Sequence, residues 1–266
     1  MSKVRLDFLV HQRSLAASRE KAQAMILAGQ IIVNGQRADK PGSLVPEEAD
    51  VQVHGEKLRY VSRGGLKLEK ALETFKVNFH DQIVLDVGAS TGGYTDCALQ
   101  NGAKRVYAVD VGYGQLDWTL RNDPRVVSLE RTNVRYISSQ ELPEMVDIMT
   151  IDVSFISLTL VLPAIRPWLK PEGSIICLVK PQFEAGRDKV GKKGVVRDAE
   201  VHMEVIRKVV SCAAGLDLCF TGLTYSPVKG PQGNIEYLLL LEPGDLNTLG
   251  PKIPGVVAEA HRVLRK

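Results

Sequence analysis

Leu85-Asp86-Val87-Gly88-Ala89-Ser90-Thr91-Gly92-Gly93 reads as a buried strand that runs into a glycine-rich turn and then into a helix beginning at Tyr94. Glycines at such a turn let the backbone approach a ligand closely, and the open N–H groups of the helix start favour negative charge. The stretch therefore predicts a small-molecule crevice at the carboxyl end of a strand. The loop has the form G-x-x-x-G-G; the dinucleotide pattern G-x-G-x-x-G and the phosphate loop G-x-x-x-x-G-K-[ST] are both missing, which disfavours NAD and ATP. A second acidic residue, Asp110, ends the next strand, RVYAVD, where a carboxylate can accept hydrogen bonds from both hydroxyls of a ribose.

Outward from this point, helical patterns and short apolar strands alternate. A helix starts in SRGGLKLEKAL, strands follow at IVLDVG, RVYAVD, VVSL, VDIMTIDV and GSIICLVK, and a helix is expected near Leu116. A further helix around Glu200 to Ala213, a strand at LCFTGL and a strand at IEYLLLLE close the chain. This alternation predicts an α/β fold with a mostly parallel sheet built from right-handed crossovers.

The first 56 residues have a different texture. Leu6, Leu9 and Val10 recur at helical spacing, Ser18 is placed to cap a second helix carrying Ala22, Met25 and Ile26, and Gly29 should end it. IIVNG then stops at an Asn34-Gly35 turn, and DVQVHG alternates. Lys3, Arg5, Arg13, Arg19 and Lys21 fall on or beside the two helices, so one face could meet phosphates; a plain solvated helix surface has the same composition. The expected division is residues 1–56, a linker at 57–62, and a second domain at 63–266.

Length and composition permit this. A chain of 266 residues can bury one large and one small core, and its net charge of +3 decides nothing about partners by itself. Cys97, Cys177, Cys212 and Cys219 have no metal-ligand spacing and read as reduced thiols, so no metal is expected. The N-terminus lacks the apolar run of a signal peptide, and no segment approaches a membrane span. A cytoplasmic protein without a membrane partner is the expectation.

Three polar residues stand at or beside strand ends in apolar surroundings: Asp152 in TIDVSF, Lys180 in CLVKPQF and Glu236 in GNIEYLLLL. Pro181 biases Lys180 toward an extended backbone at the end of its strand, pointing toward the crevice. A desolvated lysine there is costly and marks a candidate for paired, functional chemistry. Lys67, in the helix before the first strand, is a natural second cation. Ordinary ion pairs capping the sheet are the plain alternative. The loop EAGRDKVGKKGVVRD follows Lys180 directly and could close on phosphates through Arg187, Lys189, Lys192 and Lys193, or could be a solvated loop.

Several motifs carry family resemblances. RLDFLV, LAASREKA, AGQIIVNG and KPG resemble the S4 RNA-binding domain, a small α+β module, which implies RNA contacts from Arg5, Ser18, Arg19 and Lys40. The strand, glycine turn, helix and terminal Asp resemble the class I (Rossmann-like) methyltransferase fold. That resemblance implies S-adenosylmethionine as cofactor, held by Asp86, Gly88, Ser90, Thr91, Gly92, Gly93, Asp110 and Asn133. Lys67, Asp152, Lys180 and Glu236 fall in the order of the K-D-K-E tetrad of the FtsJ-like 2'-O-methyltransferases. With the S4-like front, SRGGLKLEKAL, LDVGASTGGYTDCAL, IDVSFISL and LVKPQFE make nearly the whole chain similar to the TlyA family.

The TlyA resemblance implies transfer of methyl to the ribose 2'-hydroxyl of cytidine in large-subunit rRNA, with small-subunit rRNA as a second candidate. Lys180 would be the base, and Arg63, Arg187 and Lys189 would join the RNA-contacting set. A lysine acts as base only where burial or a second cation makes its ammonium yield a proton, and carboxylates then hold its geometry. The family's older name, hemolysin, implies a membrane-active alternative, against which stands the absence of a spanning or basic amphipathic stretch. An inactive RNA-binding regulator is disfavoured by the intact turn and tetrad. A methyltransferase acting on protein or small molecules is disfavoured by the S4-like front, and DVSF departs from the N/D-P-P-Y motif of base-amino methylation.

Overall fold

The computed structural model describes residues 3–16, 18–27, 29–53, 59–244 and 252–264. Its backbone divides into two units, residues 1–57 and 58–266. Of the expected linker, Lys57 and Leu58 lie outside the described residues, as do His54 and Gly55.

The front unit runs β1 (Lys3–Arg5), α1 (Leu6–Gln12), α2 (Arg19–Leu27), β2 (Ile31–Val33), β3 (Gln36–Ala38), β4 (Leu44–Pro46) and β5 (Val51–Val53). Leu6, Leu9, Val10, Ala22 and Ile26 are buried together with Ile31, the set their helical spacing selects. Ser18 caps α2 by accepting a hydrogen bond from the Lys21 N–H at 3.2 Å. Gly29 ends the helix in the left-handed region, φ 66°, its N–H bonded to the Ile26 carbonyl. Asn34 and Gly35 both have positive φ and close the β2–β3 hairpin in two residues.

The second unit contains α3 (Gly64–Phe75), β6 (Ile83–Val87), α4 (Gly93–Gln100), β7 (Arg105–Val109), α5 (Trp118–Arg121), β8 (Val126–Leu129), β9 (Val146–Ile151), α6 (Leu158–Ile165), β10 (Leu169–Val179), α7 (Pro181–Glu184), α8 (Ala199–Ala214), β11 (Leu218–Tyr225), β12 (Tyr237–Pro243) and α9 (Lys252–Leu264). The sheet order is β11-β12-β10-β9-β6-β7-β8. From β10 to β8 every pairing is parallel; β12 is antiparallel to both β10 and β11. Because β6 lies beside both β7 and β9, the chain reverses its direction of travel across the sheet there, where open parallel sheets form their ligand crevice.

The two faces of the sheet are covered separately. Side chains of α3 and α4 pack with Val84, Val106, Ile148 and Leu238 on one side. Those of α6, α8 and α9 pack with Leu85, Met149, Cys177 and Leu239 on the other. Neighbouring strand residues thus serve opposite cores, which explains strands apolar at every position. All four cysteines are free thiols, three of them buried. Among the described residues, no helix is long and apolar enough to cross a membrane, and no cluster of His, Cys, Asp and Glu could hold a metal ion.

Several elements differ from the sequence reading. The helix expected near Leu116 is a single turn, capped by Asp117, whose carboxylate accepts the Thr119 N–H. β10 begins at Leu169, and a register shift between Leu169 and Ser174 carries Pro171 and Gly173 within the strand. Neither α6 nor α9 is evident in the sequence: each holds a proline, and α9 also a glycine, which masks the helical pattern.

Candidate active site

The sheet order brings the polar strand-end residues together. Asp152 follows β9 and Lys180 follows β10, while Glu236 precedes β12; since β12 runs antiparallel beside β10, its beginning lies where β9 and β10 end. Lys180 sits one residue beyond the strand rather than on its last position. Its backbone is extended, φ −110° and ψ 102°, as the following Pro181 requires. Lys67 arrives on the first turn of α3, the helix that covers this face.

The four side chains form one chain of alternating charge. Lys180 Nζ lies 2.6 Å from Asp152 Oδ1; Lys67 Nζ lies 3.3 Å from Asp152 Oδ2 and 2.8 Å from Glu236 Oε2. Lys67 is 8% exposed, Lys180 7% and Glu236 0%. Burial alone would push the Asp152 carboxyl up, but the adjacent Lys67 and Lys180 pull harder and hold it below the ordinary carboxylate range. All four line one cavity, where Asp152 holds the Lys180 amine directly and Lys67 links that carboxylate to Glu236.

Two cavities meet here. One, of about 310 Å³, is lined by Lys67, Asp152, Lys180 and Glu236 together with Arg63, Thr91 and Gly93. The other, of about 470 Å³, is lined by Val109, Asp110, Val111, Gln115, Asn133 and Val134. Gly88, Ser90, Asp152 and Ser154 border both. The second has the size of a small-molecule site, with apolar walls and a few polar groups. It fits an adenosine group: an apolar slot for a base, Asn133 beside it, and Asp110 for hydroxyls.

The loop residues divide into those that border a cavity and those that do not. Gly88, φ 84°, passes so close to the Asp152 carbonyl that a Cβ would stand 2.6 Å from its oxygen. Gly92, φ 95°, is not among the residues lining either cavity; a Cβ there would strike Leu116 and Leu120, so packing by itself requires a glycine at this position. Asp86 also stays away from both. It is 1% exposed and accepts hydrogen bonds from Thr95 Oγ1 at 2.6 Å and Thr150 Oγ1 at 2.9 Å. Burial pushes its carboxyl up to about 6, against the opposing effect of those two hydroxyls. It braces the loop from inside. Asp110 borders the larger cavity with both oxygens engaged, by the N–H groups of Ser90 at 2.8 Å and Gly112 at 2.7 Å. Each carboxylate oxygen still has a second lone pair for a hydroxyl.

Residues the sequence did not single out complete the site. Ser154 Oγ lies 2.9 Å from Lys180 Nζ. Phe155, φ 64° and 91% exposed, borders the larger cavity and sets its ring 4.9 Å from that of Phe183, whose own centroid lies 6.0 Å from Lys180 Nζ. An exposed aromatic held by a left-handed backbone at the border of a cavity can offer its face to a nucleobase. Gln115 borders the adenosine-sized cavity and accepts a hydrogen bond from Ser90 Oγ at 3.3 Å. An isolated Ser, Phe or Gln in a loop leaves no periodic signal; the only cue was the polar-aromatic step Ser154-Phe155 directly after a strand.

In the front unit, Arg5 and Arg19 converge on Asp7, which is fully buried. Arg5 Nη2 lies 2.8 Å from Asp7 Oδ2 and Arg19 Nε 3.3 Å from it, with Gln23 Nε2 donating at 2.8 Å. The Arg5 guanidinium above all holds the Asp7 carboxyl well below the usual range. The two arginines keep about half of their surface, 48% and 46%, so they can also reach outward. Arg13 donates instead to the Ala49 and Glu47 carbonyls, and the Ser18 hydroxyl is used as a helix cap. Lys40 is exposed. In the loop after α7, Arg187 is exposed, whereas Lys189 is paired with Glu204.

Comparison with known proteins adds the lineage. Residues 60–242 match the family model of FtsJ-like methyltransferases, and residues 4–51 match that of the S4 domain. The chain is 52% identical, over 99% of its length and 96% of the relative's, to a Bacillus subtilis protein, YqxC, named as a candidate rRNA methyltransferase. It is 42% identical to the Mycobacterium tuberculosis 16S/23S rRNA (cytidine-2'-O)-methyltransferase TlyA, covering 98% and 97% of the two chains. A solved structure from Streptococcus thermophilus, described as a candidate hemolysin, superimposes with a TM-score of 0.79 at 47% identity, over 100% of this chain and 98% of that one.

Proposed function

The chain belongs to the FtsJ-like methyltransferases and carries an S4 domain in front, and from that premise we propose that it methylates the ribose 2'-hydroxyl of a cytidine in rRNA. The methyl donor is S-adenosylmethionine, and the reaction takes place in the cytoplasm, on RNA or a ribosomal subunit. Residues 1–56 serve as the RNA-binding domain and residues 63–266 as the catalytic one. Large-subunit rRNA is the first candidate acceptor and small-subunit rRNA the second. The observation that carries this reading is the chain Lys180–Asp152–Lys67–Glu236 lining the smaller cavity, with Asp152 bordering the larger one as well.

When bound in the larger cavity, S-adenosylmethionine supplies an electrophilic methyl on a sulfonium that becomes a neutral thioether once the methyl has left. Ser90, Asp110 and Asn133 hold the nucleoside part, and Gly88 lets it lie close to the strand ends. Lys180, as the neutral amine, takes the proton of the 2'-hydroxyl while the ribose oxygen forms its new bond to carbon. The resulting ammonium is met at 2.6 Å by Asp152, so charge appears where a carboxylate already stands. Lys67 ties Asp152 to Glu236 and prevents the carboxylate from following the proton. Arg63, Arg187 and Lys189, with Arg5, Arg19 and Lys40 of the front unit, supply cations for phosphates; Ser18 is retained only as a neighbour of that face.

The test is transfer of labelled methyl to purified ribosomal subunits that lack the modification, comparing the wild type with Lys180→Ala and mapping the product by 2'-O-methyl-sensitive primer extension. Lysine-dependent label at a ribose is expected. Wild-type rates in a folded Lys180→Ala protein would remove the base assignment, and label on a base or on protein would remove the reaction.

A further inference from the structure

The tetrad accounts for one partner of the Lys180 amine; the structure supplies another. Lys180 Nζ is 2.6 Å from Asp152 Oδ1 and 2.9 Å from Ser154 Oγ, and the Phe183 ring centroid stands 6.0 Å away. Among the described residues these are the polar partners of Nζ, and Lys180, Ser154 and Asp152 all border the smaller cavity. Ser154 and Asp152 also border the larger one, so the hydroxyl stands where donor and acceptor must meet.

A lysine nitrogen has three positions besides its carbon. Asp152 as a carboxylate only accepts, so it turns one N–H toward itself. The serine oxygen accepts a second. The position left over is the one from which the ammonium loses its proton, and the lone pair remains there. We propose that Ser154 is a positioning residue for proton abstraction: with Asp152 it occupies two sides of the Lys180 nitrogen and leaves the lone pair facing the cavity that takes the ribose. The inference rests on the reading of Lys180 as the base.

The surrounding backbone holds the hydroxyl in place. Asp152 is tied to the sheet through its N–H, which donates to the Val87 carbonyl at 2.9 Å, and Phe155 takes a left-handed backbone at φ 64°. The Phe155 ring meets Phe183 on α7, the helix that starts immediately after Lys180. Ser154 thus lies between two fixed residues, and one of them is anchored to the helix that directly follows the amine. Without the hydroxyl, the second N–H has no fixed acceptor, the amine rotates about its last bond, and the lone pair spends less time on the ribose side.

The experiment measures kcat and KM for methyl transfer by full-length wild type, Ser154→Ala and Ser154→Thr on the acceptor subunit, with Lys180→Ala alongside and donor binding by calorimetry. Ser154→Ala should lower kcat on the order of tenfold, the equivalent of one lost hydrogen bond at the reacting amine. Its KM for RNA and its donor affinity should stay within about twofold, and Ser154→Thr, which keeps the oxygen, should recover most of kcat. A hydroxyl that merely capped the lone pair would make Ser154→Ala as fast as the wild type or faster, and that outcome overturns the proposal, as does an effect confined to KM. Should Lys180→Ala be dead while Ser154→Ala is unaffected, the positioning role fails and the base stands. Should Lys180→Ala be active, the underlying reading fails and takes the positioning role with it.

Discussion

Gly230 lies against Glu236, and a Cβ added there would overlap the carboxylate, coming within 2.7 Å of its carbon. Gly230→Ala should therefore swing Glu236 off Lys67 and cut methyl transfer at least tenfold, while donor binding, which depends on the other cavity, is retained; a fully active variant would mean that the carboxylate position is not critical. Asp86 makes a prediction about pH. Its carboxyl is raised to about 6 by burial, so the folded state prefers the protonated form. Its contribution to stability is greatest below about pH 4, declines as the pH rises toward about 6, and is constant above that. Asp86→Asn removes this slope. The stability difference between variant and wild type should change across that window, as followed by urea unfolding through Trp118 and Trp168, both in the second unit. A difference independent of pH would contradict it. At this scale Asp152, Lys180 and Glu236 were legible because each interrupts the apolar run at a strand end, where only function or pairing justifies the cost, while Lys67, on α3, followed from the need for a second cation. Gly92 was not, because glycine permits both ligand approach and side-chain packing, and sequence cannot say which neighbour is near. Nor was Asp86, because an acid inside a motif looks the same whether it faces a ligand or two threonines.

Among the elements, α1 and α2 are joined by charge as well as by apolar packing. Asp7 opens α1, and Arg19 and Gln23 reach it from α2, while Arg5 approaches from β1. Asp7→Asn should cost the front unit on the order of 2 kcal/mol, the worth of hydrogen bonds to a buried charge. Amide exchange should quicken across α1 and α2 without moving the tryptophan-detected unfolding of the second unit. The folded carboxyl is held well below its ordinary value, so this stabilisation is present above about pH 4 and is lost as the pH falls below it. Unchanged exchange in the variant would show that the two helices stand on their apolar contacts alone. The strands of the large sheet and the helices α2, α3, α4 and α8 were readable from period and glycine punctuation, whereas α6 and α9 were hidden by their prolines. The start of β10 was not, since Pro171 and Gly173 imitate a turn, and a shifted register that accommodates them is a property of the neighbouring strand β9.

For the molecule as a whole, net charge says little, and the distribution of cations carries the prediction. Replacing Arg187, Lys192 and Lys193 by Gln should weaken rRNA binding and reduce the slope of log affinity against log salt by about 0.7 for each phosphate no longer neutralised. Lys189→Gln should do less, because Glu204 already occupies that cation. An unchanged slope would dissociate the loop from the RNA. A different consequence follows from the sheet order. Among the described residues, β11 meets the sheet through β12 alone, and β12 inserts between β11 and β10 although it follows both in the chain. The adenosine-sized cavity draws its walls from residues up to Val161, but Glu236, which anchors Lys67, enters with the final strand. On the proposed reading, the residues that would line the donor's place are thus all synthesised well before the one that completes the tetrad, so catalytic competence would be a late event of synthesis.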